Sequence, residues 1–380
     1  MKALPLSGSL ESSRQGSSAR DRSGSATPVA ERLSGLTGRY MAVVAGVTAL
    51  FALLDLILLP HSTLVIAAQN YVDAAKLVAA LIFGVGVARV LQWRFRDDAS
   101  RFGRFVVNAA AGERTLALAG LAFTVLSLVA GLFMYLASNM STPLVDRQLA
   151  MIDAGLGFNW LSLLALANAN RVVAWVLVLA YFSVGPLLVV LFIYFAFTHR
   201  EQRLMELVAL VAVTSLFTGT LMLFFPAAGA YSWFRPSPDY FSNLSSEAGM
   251  WHHKVLMALR SGQQVTYLQS QVSGLVTFPS FHTVLGVITA YSVRRIRGVF
   301  PVLLVLNAIM IVSTVPEGGH YVVDVIAGAV VALVSICCVR AACGKWSEAM
   351  RLASCFQNRH FHAEPIRPPC DGRSCPLGSV

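Results

Sequence analysis

Eight apolar runs follow one another along the chain, near residues 40–60, 73–93, 115–137, 172–198, 204–225, 279–294, 299–315 and 319–340. A helix needs about 20 apolar residues to cross the hydrocarbon core of a bilayer. Lipid offers the backbone no hydrogen-bond partners, so runs of this kind have to be helices. The sixth and seventh are short and separated only by "VRRIRG", which leaves their ends open. The 380 residues are 56% hydrophobic and 13% charged, with a mean hydropathy of +0.65, outside the range of a soluble globular protein. The expected fold class is all-α, a polytopic transmembrane helical bundle.

The formal net charge is +10, and the basic residues gather in the N-terminal tail, in Arg94–Arg114, in "THREQR", in "VRRIR" and in the C-terminal tail. This is the pattern of a positive-inside bias. Nucleic-acid binding would need a basic face interleaved with aromatics, which is not seen. The segment 94–114 carries Arg94, Arg96, Arg101, Arg104 and Arg114 against Asp97, Asp98 and Glu113, whereas 61–72 has no Lys or Arg. Placing the arginine-rich loops in the cytoplasm puts both termini inside after eight crossings, in a cell inner or plasma membrane. The same choice puts His282 and His320 together on the extracytoplasmic side. Residues 1–38, rich in Ser, Gly and Arg, read as a disordered tail. They are not a secretory signal, because no apolar core precedes Arg39.

All six cysteines (Cys337, Cys338, Cys343, Cys355, Cys370 and Cys375) follow residue 336, so the preceding chain can form no disulfide framework. Cys370 and Cys375 read as tail thiols, and no metal site is expected. Two extracytoplasmic segments are long. In 138–171, Thr142 and Pro143 look like a helix start, and Leu144, Val145, Leu149 and Ile152 suit a helix lying in the interface. Asp146 and Asp153 share a face of that helix and read as solvated. The segment 226–278 carries Arg235, Lys254, Arg260 and the pair His252–His253, the last two read as ordinary loop residues. Asp55 and Lys76 could form an intramembrane pair, which would suit a transporter.

Two stretches carry the chemistry. In "STVPEGGHYVVDVIAGAV", His320 and Asp324 lie four apart and therefore share a helix face. The carboxylate can accept from one ring nitrogen and leave the other as a free lone pair, for a general base or a nucleophile. Gly318 and Gly319 leave room for a substrate beside a helix N-terminus, which favours an anion. In "VTFPSFHTVLG", Ser280 is the expected N-cap of a helix with His282 in its first turn. One histidine could attack while the other protonates a leaving group. A buried polar pair that only pins helices is the alternative.

"FPSFHT" followed by "STVPEGGHYVVDVIAG" resembles the type 2 phosphatidic acid phosphatase (PAP2) superfamily of acid phosphatases, haloperoxidases and lipid phosphotransferases. The family motif P-S-G-H is matched at Pro279, Ser280 and His282, with Phe281 in place of Gly. The motif S-R-x5-H-x3-D is matched at Ser313, His320 and Asp324, with Thr314 in place of Arg. Of the earlier K-x6-R-P motif, Arg235–Pro236 remains and Ala228 stands at the Lys position. The resemblance spans roughly 115–340 and implies a six-helix core preceded by two extra transmembrane helices. The expected division is then a tail 1–38, the extra helices and basic loop 39–114, a catalytic membrane domain 115–342 and a cytoplasmic tail 343–380.

The resemblance implies that His320 attacks phosphorus to form a phosphohistidine, that Asp324 orients it and that His282 protonates the leaving oxygen. Ser280, Phe281 and Gly319 would line the substrate site, and Arg235 or Arg260 (or Lys254) would replace the missing motif cations. No metal or cofactor is needed. The implied partner is a lipid phosphate or phospholipid in the bilayer, and the leading activity is hydrolysis of a phosphoric monoester. The missing Arg and "HYVVDV" are similar to the branch of inositolphosphorylceramide and sphingomyelin synthases, which pass a phosphoryl headgroup to a lipid alcohol. A transporter that keeps the architecture without catalysis is the rival reading.

Overall fold

The computed structural model describes residues 28–361, with side chains for residues 35–344. Cys355, Cys370 and Cys375 lie outside the residues with described side chains. Thirteen helices and two short strands run along the described chain. They are α1 (Pro28–Leu58), β1 (Leu64–Ile66), α2 (Gln69–Arg94), α3 (Arg101–Ser138), α4 (Asp146–Gly155), α5 (Trp160–Asn168) and α6 (Arg171–Phe182). There follow α7 (Val184–Phe197), α8 (Glu201–Phe224), α9 (Ala230–Phe234), α10 (His253–Arg260), β2 (Val265–Tyr267), α11 (Phe281–Ser292), α12 (Phe300–Ser313) and α13 (Val322–Phe361). α1 thus begins inside the segment 1–38, and α13 continues into the tail 343–380. Both are extensions of strongly apolar helices, and adding residues to a formed helix costs far less than nucleating one.

Five helices (α1, α2, α3, α8 and α13) are long and apolar enough to cross a membrane, and the bent pairs α4–α5 and α6–α7 bring the number to as many as seven. This is an all-α integral membrane protein. The run expected over 172–198 is broken at Ser183 by a bend of 49°. Pro186 explains it, since its ring clashes with the carbonyl four residues back and it has no N–H to donate. α11 and α12 have 12 and 14 residues. At 1.5 Å per residue they reach only about 18 and 21 Å, short of the ~30 Å hydrocarbon core. Irregular backbone flanks them at 272–280 and 314–321, much of it buried in protein.

α8 is the centre of the bundle, with Leu204, Leu207, Val208, Ala209, Leu210 and Ala212 buried all round it against α1, α3, α11 and α13. One end of the bundle is basic. There Glu206 Oε2 accepts from Arg203 at 2.8 Å and Oε1 from Arg294 at 3.1 Å, and Arg39 donates to the Cys343 carbonyl at 2.8 Å. The first turn of α11 and the turn before α13, which carry the histidines, are at the opposite end.

The N-terminal helices are tied to that histidine-bearing end. β1 pairs in parallel with β2, Leu64 opposite Val265 and Ile66 opposite Tyr267. Asn70 extends the junction by donating to the Tyr267 carbonyl and accepting from Gln269 N–H, both at 2.9 Å. The Asp55–Lys76 pair does not form. Lys76 lies 3.8 Å from Asp73 on an exposed surface, while Asp55 is 5% exposed among α1 and its neighbours, with neither oxygen partnered among the described residues.

Candidate active site

His320 closes the turn between α12 and α13. Its N–H donates to the Thr314 carbonyl at 3.2 Å, and its carbonyl accepts from Trp160 Nε1 at 3.1 Å, so the backbone is held from both sides. The His320 Nδ1 to Asp324 Oδ2 distance is 3.4 Å, and the same oxygen accepts from Tyr321 N–H at 2.9 Å. Asp324 is fully buried and His320 is 3% exposed. The spacing of four therefore delivers the imidazole–carboxylate pair that the sequence pointed to.

Ser280 caps α11 as expected, accepting from Thr283 N–H, and its own N–H donates to the Asp324 carbonyl at 3.0 Å. Gly328, one turn beyond Asp324, lets the helices touch there, since a Cβ on it would lie 2.5 Å from the Ser280 carbonyl oxygen. α11 and α13 thus meet backbone to backbone where their histidines are placed. The His282 ring stacks on Tyr181 at 4.3 Å. A Cβ on Gly318 would lie 2.9 Å from Tyr181 Cε2 and 3.0 Å from His320 Cδ2, so the ring that carries His282 also borders His320.

A second layer, invisible as a motif, fixes this turn. Asp153 accepts from Val322 and Val323 N–H, each at 2.8 Å, and so caps α13 from another helix. Asp146, seven residues earlier on the same face of α4, accepts from Ala228 and Gly229 N–H at 2.9 Å and from the Tyr321 hydroxyl at 3.2 Å. Both aspartates are buried, at 2% and 6% exposure, and not solvated as expected. Their partners, backbone N–H groups and the Tyr321 hydroxyl, lie 82 or more residues away, which no local spacing reveals. Gly229 (φ +95°) lets Ala230 N–H reach the Gly319 carbonyl at 2.8 Å. Gly249 and Gly319, both at positive φ, pack so closely that a Cβ on either would come within 2.8 Å of the other's Cα. Glu317 is buried beside them, where Ser245 donates to it from its hydroxyl and from its N–H. Burial raises the pKa of Glu317, and the Ser245 hydrogen bonds offset part of that rise.

His252 is no ordinary loop residue: it is 2% exposed and its Nε2 lies 3.1 Å from the Ala228 carbonyl. A Cβ on Gly229 would touch Gly319 O, Thr277 Cγ2 and His252 Cε1, so this third histidine borders the His320 turn. Burial lowers its pKa from 6.5 to about 4, which keeps it neutral near pH 7. An unfolded histidine takes up its proton first as pH falls, so the stability of the neutral buried ring is complete above about 6.5 and is lost towards about 4. His252→Gln is expected to reduce the fall in unfolding free energy across that window by about one proton, ~1.4 kcal/mol per pH unit. Thermal melts of both proteins in detergent as a function of pH measure this, and parallel curves would refute it.

The expected replacement cations are not gathered at the histidines. Arg235 is exposed at a left-handed position (φ +47°), and Lys254 is exposed. Arg260 donates to the carbonyls of Met140 at 3.3 Å and Thr142 at 2.5 Å. Phe281 is half-buried and packs against the main hydrophobic core.

The molecule is thus a membrane helical bundle in which the short helix α11 and the turn leading into α13 bring a first-turn histidine and a carboxylate-backed histidine together. A model of the PAP2 superfamily matches residues 147–338, just over half of the chain, and the chain belongs to that superfamily. The match begins after α3, a helix that the resemblance had counted in the core. No curated protein and no solved structure matches. Membership brings a phosphatase- or phosphotransferase-type chemistry on phosphoric esters, with a lipid-type substrate in the bilayer.

Proposed function

We propose that this protein cleaves a lipid phosphoric ester through a phosphohistidine on His320, with water as acceptor and a phosphoric monoester as substrate. The observation that carries this reading is the convergence of His320, Asp324 and the stacked His282 on one turn within a PAP2 sequence. Asp324 accepts from His320 Nδ1–H and leaves Nε2 to attack phosphorus. The P–O bond to the lipid breaks as the N–P bond forms, and His282 supplies the proton to the departing alkoxide. Water then attacks the phosphohistidine with His282 as base, releasing phosphate and restoring both rings. Ser280 and Gly319 border the phosphoryl position, and Arg235 and Arg260 attract the anion from the rim of the loop. The basic end of the bundle supports a cytoplasmic location for both termini and an extracytoplasmic one for the site.

Transfer of a phosphoryl headgroup to a lipid alcohol is the second reading, favoured by the electrostatics. With Arg235 and Lys254 exposed, Arg260 held on carbonyls and Glu317 buried beside the turn, a doubly charged monoester gains less here than a singly charged diester. The test is to trap the intermediate: rapid quench at alkaline pH after mixing with phosphatidic acid, followed by peptide mass spectrometry. A base-stable, acid-labile phosphoryl group on His320 is expected. Turnover of the lipid without any phosphorylated His320 would remove the mechanism. Supplying a phosphodiester lipid and a lipid alcohol in parallel separates transfer from hydrolysis.

A further inference from the structure

An apolar cavity of about 240 Å³ lies beside the site, between α3, α7, α8 and α11, and the chemistry described so far does not use it. Its walls include Phe123, Ala130, Leu188, Val211, Val276 and Phe281. Along α3 it runs from Phe123 to Tyr135, about 18 Å at 1.5 Å per residue, against about 15 Å for one leaflet of a ~30 Å core. Phe123, Ser127 and Leu188 are part-exposed, so it opens sideways between α3 and α7. A cavity with so few polar groups gives water too few partners to hold it there.

Its upper end is built from the neighbours of the reacting groups. Val276 precedes Thr277, whose Cγ2 borders Gly229 together with the Gly319 carbonyl of the His320 turn. Phe281 sits between Ser280 and His282, and successive helical residues point about 100° apart, so Phe281 lines the cavity while its neighbours face the phosphoryl position. We propose that this cavity is the seat of one hydrocarbon chain of the lipid substrate, entering from the bilayer between α3 and α7, with Phe281 as the residue that aligns the chain with His282. This rests on the lipid phosphoric ester reading and adds to it the substrate's route and the part of the substrate that is recognised. The side chain at 281, where the family motif has Gly, then serves substrate alignment.

The test uses full-length protein in lipid nanodiscs and phosphatidic acid with a diazirine in its acyl chain. After irradiation, label is expected in the peptides holding residues 123–135 and 276–285, and at least fivefold less of it in Ala130→Trp, which fills the cavity. Leu188→Trp, at the part-exposed mouth, gives the same loss should Ala130→Trp fail to fold. Label confined to outward residues such as Ile82 and Phe83, or unchanged in a folded variant, overturns the proposal. In parallel, the ratio of the rate on long-chain phosphatidic acid to that on p-nitrophenyl phosphate is expected to fall about tenfold in either variant. Labelling as expected without any turnover by the unaltered protein would leave the cavity assigned and the proposed activity refuted. Turnover with no labelling of the cavity would do the reverse.

Discussion

His320→Ala is expected to lower turnover of a lipid phosphoric ester by about 10⁴-fold or more, because removing a nucleophile removes the covalent route itself. The imidazole is held for the proposed role from three directions. Trp160 and Thr314 hold its backbone, and Asp324 lies 3.4 Å from Nδ1. A substituted enzyme keeps the fold but has nothing to accept the phosphoryl group. His282→Ala should cost less, about 10² to 10⁴, the usual range for a general acid. The two losses differ in kind. With a leaving group that needs no proton, such as p-nitrophenolate, His282→Ala should still release about one equivalent in a burst before the phosphohistidine is slowly hydrolysed, whereas His320→Ala should show no burst. Asp324→Asn is expected to fall between them, since the amide oxygen can take the place of Oδ2 towards Tyr321 N–H and His320 Nδ1 but carries no negative charge to stabilise the imidazole as it is phosphorylated. Initial rates of phosphate release on phosphatidic acid and the time course of p-nitrophenolate release from p-nitrophenyl phosphate, taken for all three variants, decide the assignment. If His320→Ala kept a tenth of the activity, the nucleophile would have to be another group.

Much of this arrangement is written locally. Each apolar run carries its own evidence of a helix, Ser280 announces the start of α11, and His320 and Asp324 need only one turn of helix to meet. Arg203 and Arg294, from two of the basic stretches, meet on Glu206 at one end of the bundle. The parts that escaped notice depend on chain segments far apart. Asp153 and Val322 are 169 residues apart, and Asn70 and Tyr267 are 197 apart. β1 and β2 are three residues each, too short for alternation to register. His252 shows no ligand spacing because its partner is a backbone carbonyl. The bend at Ser183 was the exception, for Pro186 was visible in an apolar run that otherwise reads as one helix.

Asp153→Ala is expected to destabilise the protein by about 3–5 kcal/mol, the largest loss for any residue outside the reacting groups. The carboxylate accepts from two N–H groups of the first turn of α13, at 2.8 Å each. A hydrogen bond to a charged group is worth about 1.5–3 kcal/mol, and a half-buried N–H left without a partner forfeits it. The first N–H groups of a helix have no partners of their own, so a cap supplied by α4 decides where α13 begins. That matters because Asp324 lies in the same first turn, and its carbonyl holds Ser280 N–H at 3.0 Å. Loosening the turn therefore also moves the carboxylate behind His320 and the start of α11. Lower thermal stability should come with lower kcat even at temperatures where the variant is folded. Asp153→Asn keeps one acceptor and should lose roughly half as much. Arg147→Ala, exposed on the same helix, should stay within about 0.5 kcal/mol of the parent. Melting in detergent together with kcat for the three variants tests the point. An Asp153→Ala protein that melted with the parent would mean that α13 is held in place by Trp160 and Ser280 alone.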